Sequence, residues 1–151
     1  MTDKELLVRK IENGTVIDHI IAGRGLKVAE ILGLSEQSSE TMALLMNVSS
    51  QKLNKKDIVK IENRELTQGE IDKISLVAPY ATINIIRNSE VVEKKKVKIP
   101  EVIEKILRCP NSNCITNENE PIKTKFSIQK EPLRLKCWYC ERNFEIEEFK
   151  I

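Results

Sequence analysis

Apolar residues in the first hundred positions fall in short runs whose spacing alternates between that of strands and that of helices. TVIDHII, residues 15–21, is β-rich and continuous enough for a buried strand. GLKVAEILG follows, with Val28, Ile31 and Leu32 at helical spacing and Gly33 placed to end the helix. TMALLMNV is a second apolar run and SSQKLN a polar turn. KDIVKIEN then reads as a strand in which Ile58 alternates with Lys60, and Val59 with Ile61. LTQGE carries a capping box: Thr67 as N-cap, Glu70 three residues on, and Leu66 able to staple onto Ile71. Ile71, Ile74 and Ala78 continue that helix's buried face until Pro79. ATINIIR and EVVEKKKVKI are two further strands around a hairpin turn at Asn88-Ser89. The order β-α-β-β-α-β with one extra strand predicts an α+β fold with an N-terminal ferredoxin-like (split βαβ) sandwich.

After Ile99-Pro100 the texture changes, which divides the chain into residues 1–100 and 101–151. VIEKIL is a short helical or extended connector, and the rest is short segments, polar turns and all four cysteines. Five of the six aromatic residues sit here: Phe126, Trp138, Tyr139, Phe144 and Phe149. So short a segment buries little core and usually needs a metal or disulfide staple. A small β-rich four-cysteine domain is expected.

Cys109 and Cys114 frame CPNSNC, and Cys137 and Cys140 frame CWYC. Two short knuckles of soft ligands suit a closed tetrahedral zinc site. Iron has the same geometry, and free or disulfide-linked thiols are the bland alternative. Four thiolates leave no open position for water, and the single histidine lies far upstream. The metal is therefore read as structural.

Charge is abundant and balanced, with 25 basic against 23 acidic residues. Neither half is basic enough to bind nucleic acid by bulk electrostatics. No apolar run is long enough to cross a bilayer, so no membrane partner is expected. MTDKELLVRK has no apolar signal core, and a cytoplasmic location is expected.

Other features have bland readings. His19, after Asp18, is a polar strand residue, hydrogen-bonded and inert, unless it faces a phosphate. Gly23-Arg24-Gly25 follows a strand and opens a helix, but Val28 stands where a dinucleotide fingerprint needs its third glycine. Lys56 and Lys60 share one strand face, as do Lys94 and Lys96. A solvated edge strand explains such lysines, yet convergence with Asp18 and His19 would offer ammonium groups to a triphosphate and Asp18 to a ribose hydroxyl.

GTVIDHI, NKKDIVKIEN, APYATINII, EVVEKKK, CPNSNCI and CWYCE, in that order and over nearly the whole chain, resemble the aspartate carbamoyltransferase regulatory chain family. The resemblance implies a non-catalytic subunit of pyrimidine biosynthesis. Its first domain would bind CTP, ATP or UTP and pair regulatory chains into a homodimer. Its zinc domain would dock onto a separate catalytic chain, which carries out carbamoyl transfer to aspartate. By motif, Asp18 and Lys60 would meet ribose and base, and His19 and Lys94 the phosphates, which reverses the inert reading of His19. Val8, Ile11, Val16 and Ile58 would line the base pocket, with Lys56, Asn84, Ile86, Ser89 and Val91 at the remaining positions. Asn111, Asn113 and Arg142 would contact the catalytic chain. The chain departs from the pattern at Lys10, at Ser89 where a tyrosine is familiar, and at Lys4-Glu5, where an asparagine-lysine pair helps a second, metal-bridged nucleotide bind.

Two other classes fit less of the chain. A zinc-ribbon nucleic-acid-binding protein would use Trp138 and Tyr139 for stacking, but no basic stripe flanks the knuckles. An independent enzyme would need a nucleophile, an open metal site or paired carboxylates, and none stands out.

Overall fold

The computed structural model describes residues 11–34, 37–118 and 122–150. The chain divides into two compact units, one ending at Val97 and the other starting at Lys98.

In the first unit the elements run β1 (Gly14–Ile21), α1 (Gly25–Ile31), β2 (Met42–Ser50), β3 (Asn54–Glu62), α2 (Gln68–Val77), β4 (Thr82–Arg87) and β5 (Glu90–Lys96). The strands form one sheet in the order β2-β3-β1-β4-β5, antiparallel throughout. This is the split βαβ arrangement with β5 added at one edge. Alternation decides the faces. Thr15, Ile17, Val59, Ile61, Ile83 and Ile85 are buried with Val28, Ala29, Leu32, Ile71 and Ile74 of the helical segments. Val16, Ile58, Lys60, Asn84 and Ile86 have the opposite parity and stay half-buried on the other face.

Local chemistry sets the boundaries. Thr67 and Glu70 form the reciprocal capping box at the start of α2. After α1, Gly33 has φ +93° and its N–H bonds Glu30 O, while Leu34 N–H bonds Ala29 O. That pair of bonds is a Schellman stop, with glycine in the left-handed position. Asn88 and Ser89 both have positive φ, 53° and 66°, as a two-residue type I′ hairpin requires.

In the second unit β6 (Val102–Glu104), β7 (Lys125–Gln129), β8 (Arg134–Cys137) and β9 (Asn143–Phe144) form an antiparallel sheet in chain order. VIEKIL thus resolves into strand β6 and an irregular stretch. Its core is aromatic: Phe149 meets Phe126 and Phe144 edge-on at 5.2 and 5.8 Å. No helix among the described residues is long and apolar enough to cross a membrane.

Candidate functional site

The open face of the first sheet gathers most of the residues that the motifs single out. Val16 is in register with Lys60 on one side and Asn84 on the other, and Asn84 with Lys94. Lys60, Val16, Asn84 and Lys94 therefore form one row across four strands, about 14 Å long at ordinary strand spacing. Ile86, in register with Val91, lies one pleat further along, and Ser89 sits in the hairpin turn with its N–H on Glu12 O. Ile58 shares the face with Lys60. Ile11 is only 5% exposed, and Val8, like Lys4, Glu5 and Lys10, lies outside the described residues.

Beyond Val16 the strand changes its habit. The β1–β3 register shifts between Ile17 and Ile20, and His19 has φ +58°. This bulge turns both Asp18 and His19 out of the core while Ile20 returns to it. Lys56 Nζ lies 2.9 Å from Asp18. Burial would push the Asp18 carboxyl up, but the Lys56 ammonium and the His19 amide hold it below the ordinary carboxylate range. His19 Nδ1 is 3.2 Å from Thr82 Oγ1. Its imidazole is pushed down, first by burial and then by Lys56, Lys52 and Lys94, against the opposing pull of Asp18. Lys56, Lys52 and Lys94 thus lie close enough to the ring to add to the effect of burial.

Two contributors escape the motif reading. Thr82, 4% exposed, holds the His19 ring and has the parity of Asn84, so alternation alone could have found it. Asp57 is fully buried and accepts the N–H groups of Gly23 and Gly25 at 2.9 and 2.8 Å on one oxygen, and that of Asn47 at 3.0 Å on the other. Asn47, φ +61°, lies within a second register shift, in β2. The buried carboxylate thus satisfies amides released by the β1–α1 turn and by that irregularity. The Gly-Arg-Gly stretch is explained the same way. A Cβ on Gly25 would meet the Asp57 side chain at 2.8 Å, so its glycine serves close packing rather than a dinucleotide.

In the second unit Cys109, Cys114, Cys137 and Cys140 bring their Sγ atoms within 4.8 Å of one another. The separations are 3.8 Å for Cys109–Cys140 and 3.7 Å for Cys114–Cys137. A tetrahedral ion with metal–sulfur bonds of about 2.3 Å sets sulfurs about 3.8 Å apart, so the donor set fits one. The first knuckle is a turn: Asn111 Oδ1 accepts the Asn113 N–H, and Asn111 O the Cys114 N–H. Asn117 clamps it, donating to Cys109 O at 3.0 Å and Asn111 O at 2.7 Å, a role the spacing gave no hint of. The second knuckle closes through Cys137 N–H to Arg142 O and Glu141 N–H to Cys137 O. Burial pushes the Cys109 and Cys137 thiols up. Burial also acts on Cys140, but hydrogen bonds from the Arg142 amide, Asn111 and the neighbouring cysteines bring it down to about 7. Of the residues expected to meet a catalytic chain, Asn113 and Arg142 are exposed, and Asn111 is half-buried with its Oδ1 on the Asn113 N–H.

Comparison with known proteins agrees with this division. Residues 6–98 match the family described as aspartate carbamoyltransferase regulatory chain, allosteric domain, and residues 101–150 match its metal binding domain. The chain is 61% identical over 146 residues to the aspartate carbamoyltransferase regulatory chain of Pyrococcus horikoshii, covering 95% of both. It is 54% identical over 143 residues to that of Methanothrix thermoacetophila, covering 94% of this chain and 93% of the relative. It is 52% identical over 147 residues to that of Methanothermobacter thermautotrophicus, covering 97% and 94%. A basic open sheet face on one unit and a four-thiol centre on the other thus meet a matching pair of domains, and the chain belongs to the aspartate carbamoyltransferase regulatory chain family, as a non-catalytic subunit with an allosteric and a metal-binding domain.

Proposed function

We propose that residues 1–100 bind CTP, ATP or UTP as allosteric effectors and pair two regulatory chains into a homodimer. Residues 101–151 hold a structural zinc ion and dock onto the aspartate carbamoyltransferase catalytic chain in the cytoplasm. The complex would thereby place de novo pyrimidine synthesis under nucleotide control. The observation that carries this reading is the row Lys60–Val16–Asn84–Lys94 with Asp18 and His19 beside it. Val16 and Ile58 offer apolar surface to a base, with Lys60 and Asn84 as donors at its rim. Asp18 accepts a ribose hydroxyl, and His19, Lys56 and Lys94 face the phosphates. The zinc side rests on the donor set: four soft ligands at tetrahedral spacing close the coordination sphere, so the ion organises the knuckles and takes no part in a reaction. Asn113 and Arg142 then project from a rigid support toward the catalytic chain.

An effector acts through such a chain only as far as it binds two quaternary states unequally, and couplings of this kind run at about 1–3 kcal/mol. Purine and pyrimidine effectors share the phosphate and ribose contacts and differ in how the base seats. Calorimetric titration of the zinc-loaded chain with CTP and with ATP tests the reading. Both should bind saturably, and Lys94→Ala should weaken both about tenfold. Equal affinity in wild type and variant would remove Lys94 from the site.

A further inference from the structure

The two irregularities of the first sheet meet at one residue. Between β1 and β3 the register runs from Ile17 against Val59 to Ile20 against Asp57, three steps on β1 for two on β3. Between β2 and β3 it runs from Leu45 against Ile58 to Val48 against Lys56, again three for two. Both neighbours of β3 therefore bulge within one residue of Asp57. The β1 bulge sets Asp18 and His19 toward the open face, and the β2 bulge leaves Met46 and Asn47 exposed on the outermost strand of the sheet.

Asp57 joins the two bulges from within. One of its oxygens accepts the Gly23 and Gly25 amides of the β1–α1 turn, and the other accepts the Asn47 amide of the β2 bulge. Lys56, its neighbour in the chain, points to the opposite face and pairs with Asp18 at 2.9 Å. Two adjacent residues of β3 thus grip the β1 bulge from the open face, and the turn and the β2 bulge from the core. The packing between them is tight: a Cβ on Gly25 would come within 2.7 Å of Leu44 in β2 and 2.8 Å of Asp57. A close-packed interior passes a displacement on rather than absorbing it. An anion that draws the Lys56 ammonium away from Asp18 moves β3 next to Asp57, and a carboxylate engaged through both oxygens carries that movement to amides on either side.

We propose that Asp57 is a positioning residue that couples the open face of the sheet to its β2 edge, so that occupancy beside Lys56 changes how firmly the β2 bulge is held. The inference rests on the nucleotide reading given under Proposed function. Amide hydrogen exchange in the full zinc-loaded chain tests it, with CTP as the probe. In wild type, saturating CTP should slow exchange at Gly23, Gly25 and Asn47 together, about tenfold for a coupling of ordinary size. Asp57→Asn cuts the link on one side only. Its side chain offers one carbonyl oxygen, which the two glycine amides take, and turns an NH2 group toward the Asn47 N–H. That variant should still saturate with CTP and keep the response at Gly23 and Gly25, while Asn47 exchange no longer responds. A merely structural role would speed Asn47 exchange by the same factor with and without CTP; a response to CTP left intact in this way would overturn the inference. So would a wild-type chain that binds CTP with its Asn47 exchange unchanged, a result that depends on no variant. Wild type that binds no nucleotide would overturn the nucleotide reading and this inference with it.

Discussion

The two units solve the problem of staying folded in different ways. The first buries aliphatic side chains between a five-stranded sheet and two helices, with Ile17, Ile20, Val28, Val59, Ile61, Ile74 and Ile83 almost wholly enclosed. The second has four short strands and a few edge-packed phenylalanines. Its remaining buried positions are shared between the aliphatic Ile103, Leu107, Leu135 and Ile146 and the cysteines Cys109, Cys114 and Cys137, and burial pushes the Cys109 and Cys137 thiols up. A hydrophobic core stabilises in proportion to area, so a larger unit carries itself, while a small one needs a ligand that only its folded form can bind. The difference teaches where each unit can afford functional polarity. The first spends it on an open face, and the second on the metal centre.

Removing the metal would break this comparison most severely. Structural zinc is worth about 10–16 kcal/mol in small metal-dependent folds. Chelation, or Cys137→Ser, should therefore unfold the unit from Lys98 onward and abolish assembly with the catalytic chain. Nucleotide titration of the stripped chain should still give saturable binding. Loss of nucleotide binding together with the metal would mean that the units do not stand apart.

Asp57→Ala tests the same independence from the other side. It leaves the amides of Gly23, Gly25 and Asn47 without their acceptor, at a cost of about 3 kcal/mol. The thermal transition of the first unit should fall by about 10–20 °C, with the metal-held unit unmoved. A common shift of both transitions would make them one cooperative body.

Much of this was legible along the chain, for physical reasons. Parity sorted Val59 and Ile61 from Ile58 and Lys60, because a strand shows alternate residues to alternate faces. The capping box at Thr67, the stop at Gly33 and the turn at Asn88-Ser89 were readable because each is local. The thiol centre was readable because two short knuckles allow few other outcomes. What escaped depends on contacts between distant residues. Asp57 has the inward parity of Val59 and Ile61, yet an acid inside an apolar layer makes sense only once its three amide donors, ten to thirty-four positions away, are in place. The bulge at His19 likewise has no local signature, since no glycine marks it. Asn117 reads as a polar loop residue until the knuckle carbonyls it clamps are folded around it.

The smallest expected effect bears on the open face alone. In the free chain the His19 pKa lies below 6.5, held down by burial and by Lys56, Lys52 and Lys94. A bound triphosphate adds negative charge beside the ring and raises that pKa, so binding takes up a proton. The resulting gain in affinity is fully present below the free-chain pKa and is lost as pH rises through the higher pKa of the complex. CTP should accordingly bind a few-fold more tightly near pH 6 than near pH 8. The nucleotide's own terminal phosphate protonates around pH 6, and phosphate protonation alone would weaken contacts with lysine as pH falls. The two effects have opposite signs, and His19→Asn separates them. In that variant the gain toward low pH should vanish or reverse, while Asp18 and Lys56 keep their ion pair. A variant with the wild-type pH profile would take the imidazole away from the phosphates and leave their recognition to the lysines.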